Sequence, residues 1–287
     1  MGFRTVIIKS RCKVSLELGY ILVRGEEDFK IHISEVSLFI VQSTGVAVTA
    51  ALLVELTKRN IKVIFCDEKA NPCFENAPYA NGYNTSARLK EQISWTEECK
   101  QLVWTRIIKE KIRNQQTNLL SNGHQEAAEQ LEDYINEMLL GDENNREGHA
   151  AKVYFNNLFG NDFSRRSDND INSALNYGYA ILLSAINREI VADGYLTQLG
   201  IWHDNNFNQF NLSCDLMEPF RPWIDDIVFK MDNKKEFKKE LSNILNLIVF
   251  FNGEETHFDN AIARYCHTFF DAMKNIKPYA IMFPNKK

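Results

Sequence analysis

The stretch GIWHDNNFNQFNLSCDLMEPFRPWIDD places His203 among several Asn, a Gln and several carboxylates, interleaved with aromatic residues. A segment this polar makes a poor core helix and a costly loop unless something binds there. Asp215 and Glu218 are three positions apart and share a face if DLME is helical. Pro219 and Pro222 are tolerated only near a helix start, so Glu218 is expected beside a helix N-terminus. The competing account is a capping box, with Asp215 as cap and Glu218 reaching back; spacing alone favours it.

A second acidic candidate is Glu147, in DENNREGHAAKVYFNNLFG. Ala150, Tyr154 and Leu158 form an apolar helical face, and Gly148 places Glu147 in the first turn. The plain alternative is a first-turn Glu favoured by the helix dipole. His149 points elsewhere and is a poorer candidate than His203. Two carboxylates and one imidazole from different helices would suit a hard divalent cation. Carboxylate oxygens fit Mg²⁺ or Mn²⁺, and one neutral imidazole moves the preference towards Mn²⁺. Water and phosphate oxygens would fill the open positions. Spacing gives no pairing among these residues, which lie far apart in the chain.

A third feature is a basic face in KQLVWTRIIKEKIRNQ. Arg106, Lys109 and Arg113 fall at i, i+3 and i+7, with Lys111 alongside and Glu110 opposing. Leu102, Ile107, Ile108 and Ile112 supply the buried side. Such a stripe could track a phosphate backbone or could be a solvated helix face.

The surrounding chain sets limits. Its 287 residues are 45% hydrophobic and 25% charged, the balance of a globular protein with a real core. The net charge of −5 argues against nucleic-acid binding through the overall field, so any such binding must use a local basic face. The six cysteines form no C-x-x-C pair and read as free thiols. No P-loop, dinucleotide fingerprint or nucleophile-elbow motif is present. Val46–Leu56, the most apolar run, is interrupted by Thr49 and Glu55, so no membrane span is expected. No secretory signal pattern opens the chain, and a soluble, cytoplasmic protein is expected.

These features sit on two kinds of element. Through residue 75, short Val/Ile/Phe-rich runs are cut by turn residues: 4–9, 13–17, 20–24, 29–33 and 36–42. KVSLELGYILVRG has the alternation of a hairpin, AVTAALLVELTKRN reads as one helix, and IKVIFCD as a buried strand. Later residues read as helices over 87–116, 125–139, 147–158, 168–192, 222–230, 235–251 and 259–274, with few strand-like runs. The expected class is therefore α+β: a β-rich domain over 1–75 with one packed helix, a linker over 76–85, and a larger all-helical catalytic domain over 86–287.

The chain resembles the CRISPR-associated Cas-one family, and its type II branch best. The resemblance rests on GFRTVIIKSRCKVSL, HISEVSLFIVQSTGVAVTAALLVELTKRNIKVIFCDEK, NREGHAAKVYFNNLFGNDFSR and HDNNFNQFNLSCDLMEPFRP. It implies an N-terminal β-domain and a helical C-terminal domain. It also implies a metal site of Glu147 in REGHAA, His203 in IWHDNNFNQF and Glu218 in DLMEPFRP. The last ligand is Asp in some relatives and Glu here. Asp215 is expected to orient Glu218 or a metal-bound water, or to cap the helix.

The implied activity is a metal-dependent DNA integrase of CRISPR spacer acquisition, which joins the 3′-OH ends of a prespacer to repeat borders by transesterification. The implied assembly is a homodimer, with the β-rich domain expected at its interface, joined to a small Cas-two partner in a heterohexamer. The type II effector nuclease and a ring-shaped accessory protein are possible further partners. A structure-specific endonuclease and a non-catalytic DNA-binding scaffold are the other function classes. Arg106, Lys109 and Arg113 are candidates for DNA contact on their charge pattern alone.

Overall fold

The structure is a computed structural model that describes residues 4–68, 72–78, 85–232 and 236–287. Of the linker expected over 76–85, residues 79–84 lie outside the described residues. The chain divides into two compact units, Met1–Gly82 and Tyr83–Lys287.

In the first unit, the apolar runs become β1 (Arg4–Ile8), β2 (Lys13–Glu17), β3 (Tyr20–Arg24), β4 (Phe29–His32) and β5 (Val36–Val41). Then follow β6 (Ala47–Val48), α1 (Ala50–Lys58), β7 (Lys62–Cys66) and β8 (Pro72–Glu75). Among the described residues they form two four-stranded sheets, ordered β1-β5-β7-β8 and β4-β3-β2-β6. β1, β5 and β7 run parallel, whereas β2, β3 and β4 form an antiparallel meander. The β2–β3 hairpin turns through Leu18 and Gly19, both at positive φ, the geometry that matches strand twist. Thr49 caps α1 by accepting the Leu52 N–H, and Leu52 and Leu56 enter a core with Val14, Ile21, Ile33, Phe39 and Val63.

The second unit is mostly helical: α2 (Thr85–Ile93), α3 (Glu97–Ser121), α4 (Gln125–Glu137), α5 (Arg146–Phe159) and α6 (Asp170–Ala192). It continues with α7 (Asn211–Met217), α8 (Arg221–Lys230), α9 (Phe237–Leu241) and α10 (Phe258–Asn275). The long helices α3 and α6 carry much of its core, through Val103, Trp104, Ile107, Ile108 and Ile112 on one and Leu175, Ile181, Leu182, Ile186 and Ile190 on the other.

Two details correct the sequence reading. The helix expected over 87–116 is two helices, because Thr96 turns its side chain to the Cys99 N–H and starts α3 afresh. The helix expected over 235–251 is α-helical only at α9. Its end is β9 (Ile248–Phe251), which pairs with β10 (Glu254–His257) and β11 (Asn285–Lys286) in a three-stranded antiparallel sheet. Asn252 and Gly253 form that hairpin turn, both at positive φ. An Asn-Gly pair after an apolar run was its signal in the sequence. The domain expected to be all-helical therefore contains a small sheet.

Candidate active site

Glu147 lies in the first turn of α5, as its sequence context implied. Asn145, just before the helix, sits in the left-handed region and makes no capping bond with its side chain. Asp142 takes over that role: its carboxylate accepts the backbone N–H groups of Arg146 at 2.6 Å and Glu147 at 3.0 Å. The turn that presents Glu147 is thus fixed by a buried acid upstream. Burial pushes the Asp142 carboxyl up, against the lowering effect of those two N–H bonds.

Glu218 stands where α7 gives way to a single 3₁₀ turn, Glu218–Phe220, before α8 begins at Arg221. It is only 5% exposed. One carboxylate oxygen accepts Arg221 Nε at 2.7 Å and the other accepts Lys111 Nζ at 2.5 Å. The same ammonium donates to Glu147 Oε1 at 2.5 Å. Two glutamates remote in sequence therefore converge on one cation, delivered by the middle of α3. Burial opposes the charge of Glu218, but Arg221 and Lys111 outweigh it and hold the carboxyl at about 2. Burial likewise opposes the Lys111 charge, and Glu218 and Glu147 overcome it, raising that pKa.

His203 belongs to the loop that enters α7, and Asp215 arranges that loop. The Asp215 carboxylate is completely buried. One of its oxygens accepts the N–H groups of Ile201 and Trp202, at 2.7 and 3.1 Å. The other accepts the His203 N–H at 3.0 Å and pairs with His203 Nδ1 at 2.6 Å. Gly200 is required at the start: a Cβ there would stand 2.3 Å from the His203 carbonyl oxygen and 2.8 Å from the Asp215 carboxylate. With Nδ1–H given to Asp215, Nε2 is left as the imidazole's available lone pair. The Asp215 bond raises the His203 pKa, burial works against it, and the Glu218 charge adds to the rise. Trp104 of α3 meets the imidazole edge-on at 5.9 Å, and Trp202 stacks on Trp104 at 5.3 Å. A groove of about 480 Å³ opens beside His203, lined also by Gln92, Glu97, Lys100, Trp202 and Asp204.

The capping box favoured by spacing is not formed. Asp215 lies inside α7 and binds the preceding loop, while Glu218 binds Lys111 and Arg221. Nor does Asp215 orient Glu218; it orients His203.

The basic stripe is also divided. Arg106 turns its guanidinium onto the C-terminal segment, donating to the Ile281 carbonyl at 2.7 Å and lying over Tyr279 and Phe283; burial lowers its pKa. It is therefore corrected from a DNA-facing cation to a packing one. Lys109 is half-buried, and Arg113 is exposed and paired with Glu110 at 3.2 Å. Lys111, read as a neighbour of the stripe, faces inward. Trp104, Ile108, Lys111 and Gln115 follow a helical repeat of buried positions, and that repeat was the signal that Lys111 belonged inside. Arg221 and Asp142 were the other residues missed.

The donor set suits Mg²⁺ or Mn²⁺: two carboxylates already gathered around positive charge, and an imidazole nitrogen held by a carboxylate. The Lys111 ammonium stands in for the cation. Among the described residues no three His, Cys, Asp or Glu side chains form a ready-made metal cluster. The two glutamates share the chain's own cation, and His203 senses the Glu218 charge through space.

Fold and site together define a class of mostly helical domain with two acids gathered on a buried lysine, preceded by a β-sheet unit, and comparison with known proteins narrows it. The family model described as "CRISPR associated protein Cas1" matches residues 5–252. The CRISPR-associated endonuclease Cas1 of Neisseria meningitidis serogroup C is 34% identical over 243 residues, covering 84% of this chain and 80% of that protein. The chain belongs to the Cas1 family.

Among solved structures, a casposase bound to integration product superposes with a TM-score of 0.80 at 19% identity, covering 96% of this chain and 92% of the other. A Cas6-RT-Cas1–Cas2 complex superposes with a TM-score of 0.74 at 16% identity, covering 97% of this chain and 36% of that longer one. Both carry the same fold. Among the described residues no helix is long and apolar enough to cross a membrane.

Proposed function

We propose that this protein is a metal-dependent DNA integrase of CRISPR spacer acquisition. The observation that carries the reading is the convergence of Glu147 and Glu218 on one cationic point, with His203 fixed by Asp215 nearby. Glu147, Glu218 and His203 Nε2 are the residues that would hold Mg²⁺ or Mn²⁺. A bound ion would supply positive charge to polarise a phosphoryl oxygen and to stabilise the entering and departing oxygens. Arg221 keeps Glu218 ionised and in place, and Asp215 keeps His203 in the tautomer that leaves Nε2 free.

The reaction is transesterification. The 3′-OH of a prespacer strand gives up its proton and attacks a phosphodiester at the repeat border; a new P–O bond forms, the P–O bond to the repeat strand's 3′-oxygen breaks, and that oxygen leaves as a protonated 3′-OH. One phosphodiester is lost for each one made, so no nucleotide hydrolysis is needed. Water in place of the 3′-OH turns the same site into an endonuclease. A Cas1 relative named as an endonuclease and a casposase solved with an integration product support this chemistry.

DNA, a second copy of this chain and a small Cas2 partner are the expected associates, and a related fold solved in a Cas1–Cas2 complex supports the last. The type II effector nuclease and a ring-shaped accessory protein are further proposed partners of that assembly. The β-rich part over 1–75 would serve the dimer and the part over 86–287 the chemistry. Lys109 and Arg113 remain candidates for backbone contact.

The test uses purified protein with its Cas2 partner, a labelled fragment with free 3′-OH ends and a repeat-bearing plasmid. Joined product in Mg²⁺ or Mn²⁺, lost in chelator and in Glu147→Gln or Glu218→Gln, supports the proposal. Cleavage without joining would reassign the protein as an endonuclease. Joining that ignores the metal and both glutamates would overturn it.

A further inference from the structure

We propose that Lys111 is a resident counter-ion that must withdraw before a divalent cation can enter, its ammonium moving along α3 to Gln115; this rests on the metal site proposed above. Lys111 Nζ bonds Glu147 Oε1 and Glu218 Oε2, both at 2.5 Å. A metal ion held by those oxygens needs the same space, and two cations so close repel strongly in a buried setting.

The carboxylates are anchored independently of the lysine. Arg221 holds the other oxygen of Glu218 at 2.7 Å, and Asp142 fixes the turn that carries Glu147. The ammonium can therefore leave without dispersing its partners.

A receiving group lies one turn on. Gln115 is only 1% exposed, and its Oε1 is a buried acceptor with no hydrogen-bond partner. Residues i and i+4 share a helix face, and the later side chain leans back over the earlier turn. An unmade bond on a buried acceptor is costly, so accepting the displaced ammonium repairs a defect of the metal-free state. No covalent bond changes and the lysine stays protonated: one cation replaces another. Metal affinity is then set by an exchange within the protein.

The experiment is Mn²⁺ titration, by calorimetry and by thermal unfolding, of the wild type, Lys111→Met and Gln115→Leu, with Lys109→Met as control. Lys111→Met binds Mn²⁺ at least about tenfold more tightly than wild type, as expected when one neighbouring charge is removed. Its melting temperature is lower without metal and rises further on adding Mn²⁺. Gln115→Leu binds Mn²⁺ several-fold more weakly without losing metal-free stability, and Lys109→Met leaves the affinity unchanged. Equal or weaker Mn²⁺ binding by Lys111→Met overturns the exchange. If that variant does not fold, unchanged affinity in Gln115→Leu overturns it. Failure of the wild type to bind Mn²⁺ removes the metal site itself, a distinct result.

Discussion

Among the described residues of the helical unit, two cations largely shielded from solvent are each clasped by two carboxylates. Arg188 of α6 binds Glu189 and Asp259, and Lys111 of α3 binds Glu147 and Glu218. In the first cluster a planar guanidinium pairs with its acids on fixed lines, all three groups are nearly closed to solvent, and the charge of Arg188 is reinforced. In the second the cation is a compact ammonium on a flexible stem. One of its acids, Glu147, is 30% exposed, and a histidine and a further arginine stand close by. The arginine cluster is built to stay shut. The lysine cluster, with a flexible cation and one open acid, has the features that the proposed cation exchange requires.

The most severe test of this contrast is removal of acids from each cluster. Glu147→Gln or Glu218→Gln should reduce DNA joining to background in the metal-dependent assay. Glu189→Gln should leave the activity of the folded fraction intact.

The next largest effect concerns stability. Arg188→Met strands two partly buried carboxylates and should cost about 2–4 kcal/mol in denaturant unfolding, with no rescue by Mn²⁺. Rescue by the metal would erase the distinction between the clusters.

Asp215→Asn tests the histidine arm. Activity should fall about 10- to 100-fold, as is typical when the partner of a ligand histidine is lost. The His203 titration, followed by NMR, should also move to lower pH, because the Asp215 bond is the main cause of its raised pKa. An unmoved titration would separate Asp215 from His203.

The smallest effect is a pH dependence. Glu218 titrates at about 2 in the folded chain against an ordinary 4.5. Its ion pairs therefore stabilise the fold fully above the ordinary value, and that stability is lost as pH falls from there through the folded value. The unfolding free-energy difference between wild type and Glu218→Gln should be flat near neutrality and shrink on acidification. Growth of the difference in acid would contradict the pairing.

Much of this fold was legible because its elements advertise themselves locally. The alternation of Val14, Leu16, Ile21 and Val23 around Leu18-Gly19 reads directly as the β2–β3 hairpin. The apolar repeat of Ala150, Tyr154 and Leu158 reads as α5. The break before α3 at Thr96 hid inside an apolar rhythm that runs on into that helix, and the β9–β10 hairpin hid behind neighbours that favour a helix.

The site was less legible, because it is made by convergence between distant segments. Nothing in the spacing of Glu147 and Glu218 says that they meet on Lys111, and spacing alone preferred a cap for Asp215. The resemblance of REGHAA, IWHDNNFNQF and DLMEPFRP to family motifs nominated the three candidate ligands. It was silent on Lys111, Arg221, Asp142 and Gln115, whose roles depend on which way α3, α5 and α8 face.

The most direct measurement is anomalous diffraction from crystals of this protein soaked in Mn²⁺. The account predicts one strong peak bonded to Glu147, Glu218 and His203 Nε2, with the Lys111 ammonium gone from between the glutamates. A peak elsewhere, or Lys111 still joined to both glutamates in the presence of bound metal, would contradict it.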